Sequence, residues 1–236
     1  MASAKANHSH RSSPANPAHP APLHLTGIDP VMARIIEQVG PYDATYRRER
    51  FPALARAIIF QQLAGNAARA ILKRFIALYP GRRFPSPEQV VATSVARLRK
   101  AGLSKPKALY IKGLAADIVA KKVNFHRFPK MEDDAIIAEL TQVKGIGQWT
   151  AEMFLMFNLG RPDVMPAGDL GVQTAVMKAY GLAKRPTPKE LRDLAERWKP
   201  HRTAAAWYLW RSLDIVLPVD TVSAPSSNAS KKKRAS

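Results

Sequence analysis

Gly145, Ile146 and Gly147 stand between two stretches of helical character, in the segment Leu140-Thr-Gln-Val-Lys-Gly-Ile-Gly-Gln-Trp-Thr-Ala151. Glycines flanking one small apolar residue let a tight turn close without Cβ clashes. They also bare backbone N–H groups at the start of the next helix, where the dipole end is positive. That geometry grips a phosphate without reading sequence. Lys144 adds a charge beside it, and Thr150 stands in the first turn that follows. Taken alone, the segment reads equally well as an ordinary helix–helix turn. A second feature lies 24 residues beyond Gly145: Asp169, in Val164-Met-Pro-Ala-Gly-Asp-Leu-Gly-Val172. An acid after Gly168 at the opening of a helix is first of all a cap. The same position stabilises it as an anion, which suits it to a reaction that develops positive charge nearby.

The elements that must carry these residues are helical throughout. Asp29-Pro30 pairs a cap with a first-turn proline, and Val-Met-Ala-Arg-Ile-Ile-Glu-Gln-Val runs apolar at spacings of three and four before Gly40. Residues 51–65 and 66–80 form two amphipathic runs meeting near Gly65, the second closed by Pro80-Gly81. Ser86-Pro87 opens a short helix, and 95–100 another that ends at Gly102. Further helices are expected over 105–121, 133–141, 148–158, 170–180, 188–198 and 202–215. Alternating strand patterns and solenoid repeats are absent. The fold class expected is all-α, with nine or ten helices in two lobes around a cleft.

Domain boundaries follow from composition. Residues 1–25 are rich in Pro, Ala, Ser and His and are expected to be disordered, as is the basic tail 223–236; the body spans 26–222. Lys231, Lys232, Lys233 and Arg234 in that tail either attract phosphate or simply solubilise the end. The chain carries 37 Lys and Arg against 18 Asp and Glu. Without the six basic residues of the ends, the body still holds 31 basic groups against 18 acidic ones. A body this basic points to a polyanion, nucleic acid before membrane. Zero cysteines exclude disulfides, thiolate nucleophiles, Cys-ligated zinc and iron–sulfur clusters. Only His126 and His201 lie in the body, so a multi-histidine metal site or a Ser–His–Asp triad is not expected. Lacking an apolar run of about 18 residues or a signal-like N-terminus, the protein is expected to be intracellular.

The segment from Leu140 to Gln173 resembles the helix–hairpin–helix DNA glycosylases, in particular their alkylated-base branch, DNA-3-methyladenine glycosylase II. The resemblance extends more loosely from Pro41 to Trp210 and so covers most of residues 26–216, without the N-terminal β domain of some members. It implies a compact, monomeric enzyme that binds duplex DNA containing alkylated bases, flips out the damaged nucleotide and hydrolyses its N-glycosidic bond, the first step of base excision repair. Asp169 would be the catalytic residue, stabilising positive charge on the deoxyribose and orienting water rather than deprotonating it outright. Bifunctional members carry a lysine after the hairpin; here the residues are Gly147-Gln148-Trp149, so water is the expected acceptor.

Trp149, Met153 and Trp210 are the expected base pocket. An indole face attracts a cationic ring, such as that of an alkylated purine. Met153 stands where some relatives have an aromatic residue. Phe157 and Trp207 read as core. The hole left in the duplex would be plugged from Gln61-Gln62-Leu63-Ala64-Gly65-Asn66, with Leu63 the apolar wedge; a turn that packs Leu63 inward fits the sequence as well. Lys144, Gly145, Ile146, Gly147, Thr150, Leu63, Gly65 and Asn66 are the expected DNA contacts. The resemblance also implies a structural Na+ or K+ held by the carbonyls of Thr141, Val143 and Ile146, with no other cofactor required. Two rivals are a non-catalytic DNA-binding module and a glycosylase/lyase for oxidised bases. Location would be with the DNA, in a bacterial nucleoid or a nucleus.

Overall fold

A computed structural model describes residues 19–214, and these form twelve α-helices and no strand. In chain order they are α1 (Pro20–Ile28), α2 (Pro30–Val39), α3 (Phe51–Phe60), α4 (Gly65–Ala77), α5 (Pro87–Ala92), α6 (Val95–Lys100), α7 (Lys105–Val119), α8 (Asp133–Thr141), α9 (Gln148–Phe154), α10 (Leu170–Ala179), α11 (Pro188–Ala195) and α12 (Arg202–Ser212). The middle of the chain makes one lobe, with α3, α5 and α6 packed on α7 and α4 on α3. The chain's two ends make the other, where α1, α2 and α10 pack against α12. Helix α9 packs on α8 and α3, and its Trp149 reaches Asp169 at the start of α10 through an N–H bond.

Local chemistry explains where most helices begin. Ser86 and Gln89 form a reciprocal capping box at α5, and Thr187 and Glu190 do the same at α11. Asp29 caps α2 through Val31 and Met32 N–H, and its second oxygen accepts from the Tyr180 hydroxyl (2.6 Å) and Trp198 Nε1 (2.9 Å). One buried carboxylate thus ties α2 to the end of α10 and to the turn after α11. Phe75, Trp198 and Tyr208 are fully buried, each stabilising the fold by roughly 1.5–3 kcal/mol relative to exposure.

The described residues hold more helices than the nine or ten expected, α1 and the short ones adding to the number, and the structure departs from the sequence reading locally in four places. Residues 20–25 are ordered rather than part of a tail: His19 accepts from Ala21 N–H, Pro20 fills the first turn, and Ala21 and Leu25 are fully buried. Composition misled there, because a proline that breaks a helix interior starts one at its first position. The expected disorder of 1–18 and 223–236 lies outside the described residues. Helix α3 stops at Phe60 rather than near Gly65: the backbone turns extended at Gln61 (ψ 131°) and left-handed at Gln62 (φ 53°), and the Lys107 ammonium takes the carbonyls of Ile59 (2.8 Å) and Gln61 (2.5 Å). Helix α9 gives way at Leu155 to a π turn, Leu155–Leu159, ended by Gly160 in the left-handed region (φ 69°). Lastly, the run expected over 188–198 tightens into a 3₁₀ turn at Glu196–Trp198.

Candidate active site beside the hairpin

Asp169 sits at the N-terminus of α10, and its loop is held from two sides. Thr203 Oγ1 donates to Arg161 O (2.7 Å) and accepts from Val164 N–H (3.1 Å), while Arg202 makes a forked ion pair with Asp163. From α10 itself, Gln173 Nε2 donates to Ala167 O (2.8 Å). A loop pinned at both ends by side chains fixes the acid without needing regular structure. The carboxylate then takes three donors. Oδ1 accepts from Val172 N–H (2.8 Å) and from Trp210 Nε1 (2.8 Å), and Oδ2 from Trp149 Nε1 (2.7 Å).

Both tryptophans named from the sequence are therefore brought to Asp169, although by their N–H edges. Trp149 remains 49% exposed. Met153 is half-buried and borders an apolar cavity of about 340 Å³ lined also by Leu54, Ala57, Phe60, Thr150 and Phe157, with Arg47 and Arg56 among its lining residues. Phe157 is not plain core: it is half-buried, lines that cavity and lies 6.1 Å from the Trp210 ring. The π turn places it there. Its carbonyl accepts from Arg47 N–H (2.8 Å), and the Asn158 amide donates to Arg47 O (2.8 Å) and Glu49 O (2.9 Å). Trp207 is buried edge-on to Tyr42, as core.

Gly171 was missed by sequence reasoning. A Cβ there would lie 3.0 Å from Asp169 Oδ1 and 3.1 Å from Trp210 Cδ1, so a side chain at this position would press the acid and the indole aside by a few tenths of an ångström. Glu152 was missed too. It is buried on α9, where Gln148 Nε2 donates to it (3.0 Å); burial pushes its carboxyl up, with Asp169 adding to the effect and Gln148 and Arg192 opposing it.

The two hairpin glycines do different things. Gly145 has φ 93°, and a Cβ there would fall 2.6 Å from the Tyr110 ring; its carbonyl accepts from Gln61 Nε2 (2.8 Å). A Cβ on Gly147 would meet nothing within 4 Å. The turn therefore closes on Gly145 alone, and Gly147 leaves its face open to a ligand. Lys144 is exposed beside it, whereas Ile146 is buried as a whole residue and its N–H donates to Val143 O, so its expected part as a DNA contact is not one its side chain can play. Thr150 is 5% exposed and lines the cavity, which corrects its expected place among the DNA contacts: its side chain faces inward, toward α3. Residues 62–67 are all exposed, and Leu63 is 38% exposed rather than packed inward. Gly65 and Asn66 open α4, where Arg69 bonds the Asn66 side chain. Thr141, Val143 and Ile146 all lie on the hairpin, where Val143 O accepts from Ile146 N–H (3.0 Å).

Residues 55–201 match the HhH-GPD superfamily base excision DNA repair protein family. The chain belongs to that superfamily. It is 36% identical over 196 residues to DNA-3-methyladenine glycosylase 1 of Schizosaccharomyces pombe, covering 81% of this chain and 86% of that one. It is 30% identical over 169 residues to a putative DNA-3-methyladenine glycosylase of Bacillus subtilis, covering 70% and 59%. Among solved HhH-GPD relatives, the S. pombe 3-methyladenine DNA glycosylase in complex with abasic DNA superposes with a TM-score of 0.74 at 35% identity, over 84% of this chain and 98% of that one. A DNA-3-methyladenine glycosidase from Bacillus halodurans gives 0.76 at 36% identity, over 82% and 89%. No helix of the described residues is long and apolar enough to cross a membrane.

Proposed function

We propose that this HhH-GPD protein is a monofunctional DNA glycosylase that binds duplex DNA and hydrolyses the N-glycosidic bond of alkylated purines of the 3-methyladenine and 7-methylguanine type. The observation that carries the reading is Asp169: a carboxylate at a helix N-terminus, aimed by three N–H donors, one of them from Trp149 in the first turn after the hairpin and one from Trp210, whose ring lies 6.1 Å from the Phe157 ring that lines the apolar cavity.

The chemistry follows from that placement. As the C1′–N bond breaks, its electron pair moves onto the base and neutralises a cationic ring, while positive charge grows on the sugar. A fixed anion beside the sugar stabilises that state more than the ground state. Water then adds to C1′ and its proton passes to solvent. Trp149, Met153, Phe157 and Trp210 offer apolar and π surface to the everted base. Neither the cavity lining nor the donors on Asp169 include a lysine, which leaves water rather than an amine as the acceptor. Gly145 and Gly147 would hold a phosphate through their N–H groups with the Lys144 ammonium beside them, while Ile146, whose N–H is turned to Val143 O, shapes the turn. Leu63, with Gly65 and Asn66 behind it, would fill the gap in the duplex. Thr141, Val143 and Ile146 carry neutral carbonyl oxygens, a donor set that suits Na+ or K+ in the hairpin and no transition metal. The protein acts as a monomer, where the DNA is.

Single-turnover release of 3-methyladenine and 7-methylguanine from methylated duplex tests the reading. Wild type releases base and leaves an alkali-labile abasic site. Asp169→Asn slows release by roughly 10²–10³-fold, the range for removing a preorganised electrostatic group. Nicking without alkali, or borohydride trapping of protein on DNA, would overturn the monofunctional reading. Tight binding to an abasic analogue with no release from any lesion would favour a non-catalytic DNA-binding module.

A further inference from the structure

We infer that Trp149 and Trp210 are positioning residues that act through Asp169 by their indole N–H groups, leaving Oδ2 as the oxygen that faces the sugar and the attacking water. The inference rests on the glycosylase reading above and goes beyond it, since a tryptophan that only walls a pocket needs its ring and not its nitrogen.

An ionised carboxylate offers about four lone-pair sites, two on each oxygen. Oδ1 has both engaged, by Val172 N–H and Trp210 Nε1, each at 2.8 Å. Oδ2 has one engaged, by Trp149 Nε1 at 2.7 Å. One site is left, and it belongs to the oxygen held by the more exposed indole. The two oxygens therefore differ in role: Oδ1 anchors the acid to α10 and α12, and Oδ2 carries the open direction.

Packing alone does not put Trp149 there. With 49% of its surface exposed, its ring is not enclosed by neighbours, and the N–H bond to Oδ2 is a directional contact that holds it in this orientation. Trp210 is held differently. Gly171 lies beneath both partners, and any Cβ at that position would come within 3.0 Å of Oδ1 and 3.2 Å of Trp210 Nε1. The missing side chain at Gly171 thus leaves the acid and the indole room to meet. Water would donate to a free carboxylate in the same places. What the indoles add is a fixed direction, present before the nucleotide arrives and free of reorganisation during the reaction.

Phenylalanine separates the ring from the nitrogen. In the full chain, Trp149→Phe keeps an aromatic wall and loses the donor, so its single-turnover rate on 7-methylguanine duplex falls by roughly 10- to 100-fold, as for one hydrogen bond to a charged group. Affinity for a duplex bearing a tetrahydrofuran abasic analogue stays within about threefold, because that analogue has no base to meet the altered ring and the hairpin is untouched. Trp210→Phe behaves alike. Placed in the Asp169→Asn background, Trp149→Phe costs no further rate, since its effect runs through the acid. Full rate in Trp149→Phe, or an equal loss with and without Asp169, would overturn the inference.

A second readout does not depend on turnover. Of the four indole N–H resonances in an ¹⁵N-labelled spectrum, Asp169→Ala moves those of Trp149 and Trp210 and leaves those of Trp198 and Trp207; movement of neither overturns the inference. If wild type releases no base while both indole resonances still respond to Asp169→Ala, the glycosylase reading fails and the positioning geometry stands.

Discussion

Alanine at Gly145 and alanine at Gly147 are the same chemical change two residues apart, and the structure separates their consequences. At Gly145 the backbone holds φ 93°, where an L-residue costs about 1–2 kcal/mol. The new methyl would also fall 2.6 Å from Tyr110 Cδ2, 2.7 Å from Cγ and 2.9 Å from Cβ. Turning the ring does not relieve this, because Cβ and Cγ are fixed close to the α7 backbone. Overpacking of this kind costs about 1–3 kcal/mol. Gly145→Ala should therefore lose about 2–5 kcal/mol of stability. It should also shift the Gly145 carbonyl that receives Gln61 Nε2, loosening the loop that carries Leu63. At Gly147 the backbone is extended (φ −95°, ψ 173°) and a Cβ meets nothing within 4 Å. There the lost cap preference and the gain from a stiffer unfolded chain nearly cancel, to within about 1 kcal/mol. The methyl instead covers the face where a phosphate would approach, and DNA affinity drops by roughly tenfold for one weakened charge-assisted bond. Urea unfolding and fluorescence anisotropy with an abasic duplex measure the two effects separately. Equal unfolding midpoints for the two variants, or unchanged DNA affinity in Gly147→Ala, would refute the division of labour.

Three further outcomes follow from other sites. Asp29→Ala leaves the Tyr180 hydroxyl and Trp198 Nε1 without their acceptor, Trp198 being fully buried, and should cost about 3–5 kcal/mol in urea unfolding; a loss under about 1 kcal/mol would mean water replaces the carboxylate. Glu152 has a carboxyl raised above its ordinary 4.5 chiefly by burial, so the folded state binds its proton more tightly than the unfolded chain. Its contribution to stability is therefore lost as pH rises from about 4.5 through the raised value. Glu152→Gln should flatten thermal stability across that window and raise it at pH 7, by about 1.4 kcal/mol per unit of the shift. A steeper pH dependence in the variant would contradict this. Leu63→Ala, at an exposed loop position, should unfold within about 0.5 kcal/mol of wild type yet release base from duplex DNA more slowly than from single strands. Equal slowing on both substrates would remove Leu63 as the wedge.

Most helix starts were legible without coordinates because their causes are local. Asp29 with Pro30, Ser86 with Pro87 and the glycine at 40 act on backbone groups a few residues away, and a period near 3.6 needs only the chain itself. The pair of Gly145 and Asp169 was legible for a related reason: a bared helix N-terminus and an acid at another are local motifs with their own electrostatics. Family resemblance then linked them. Other features depended on neighbours far along the chain. Helix α1 exists because Leu25 and Ala21 find the packed surface of α2 and α12, which composition cannot reveal. Helical spacing put Thr150 and Phe157 on α9 and its continuation, but which face α3 would cover was settled only by packing. The duties of the two hairpin glycines were divided by Tyr110, 35 residues before Gly145. Gly171 mattered only once α12 brought Trp210 against Asp169. Short-range forces act between residues the chain already holds together; which side chains share the carboxylate is decided when the two lobes close, and only the folded arrangement records it.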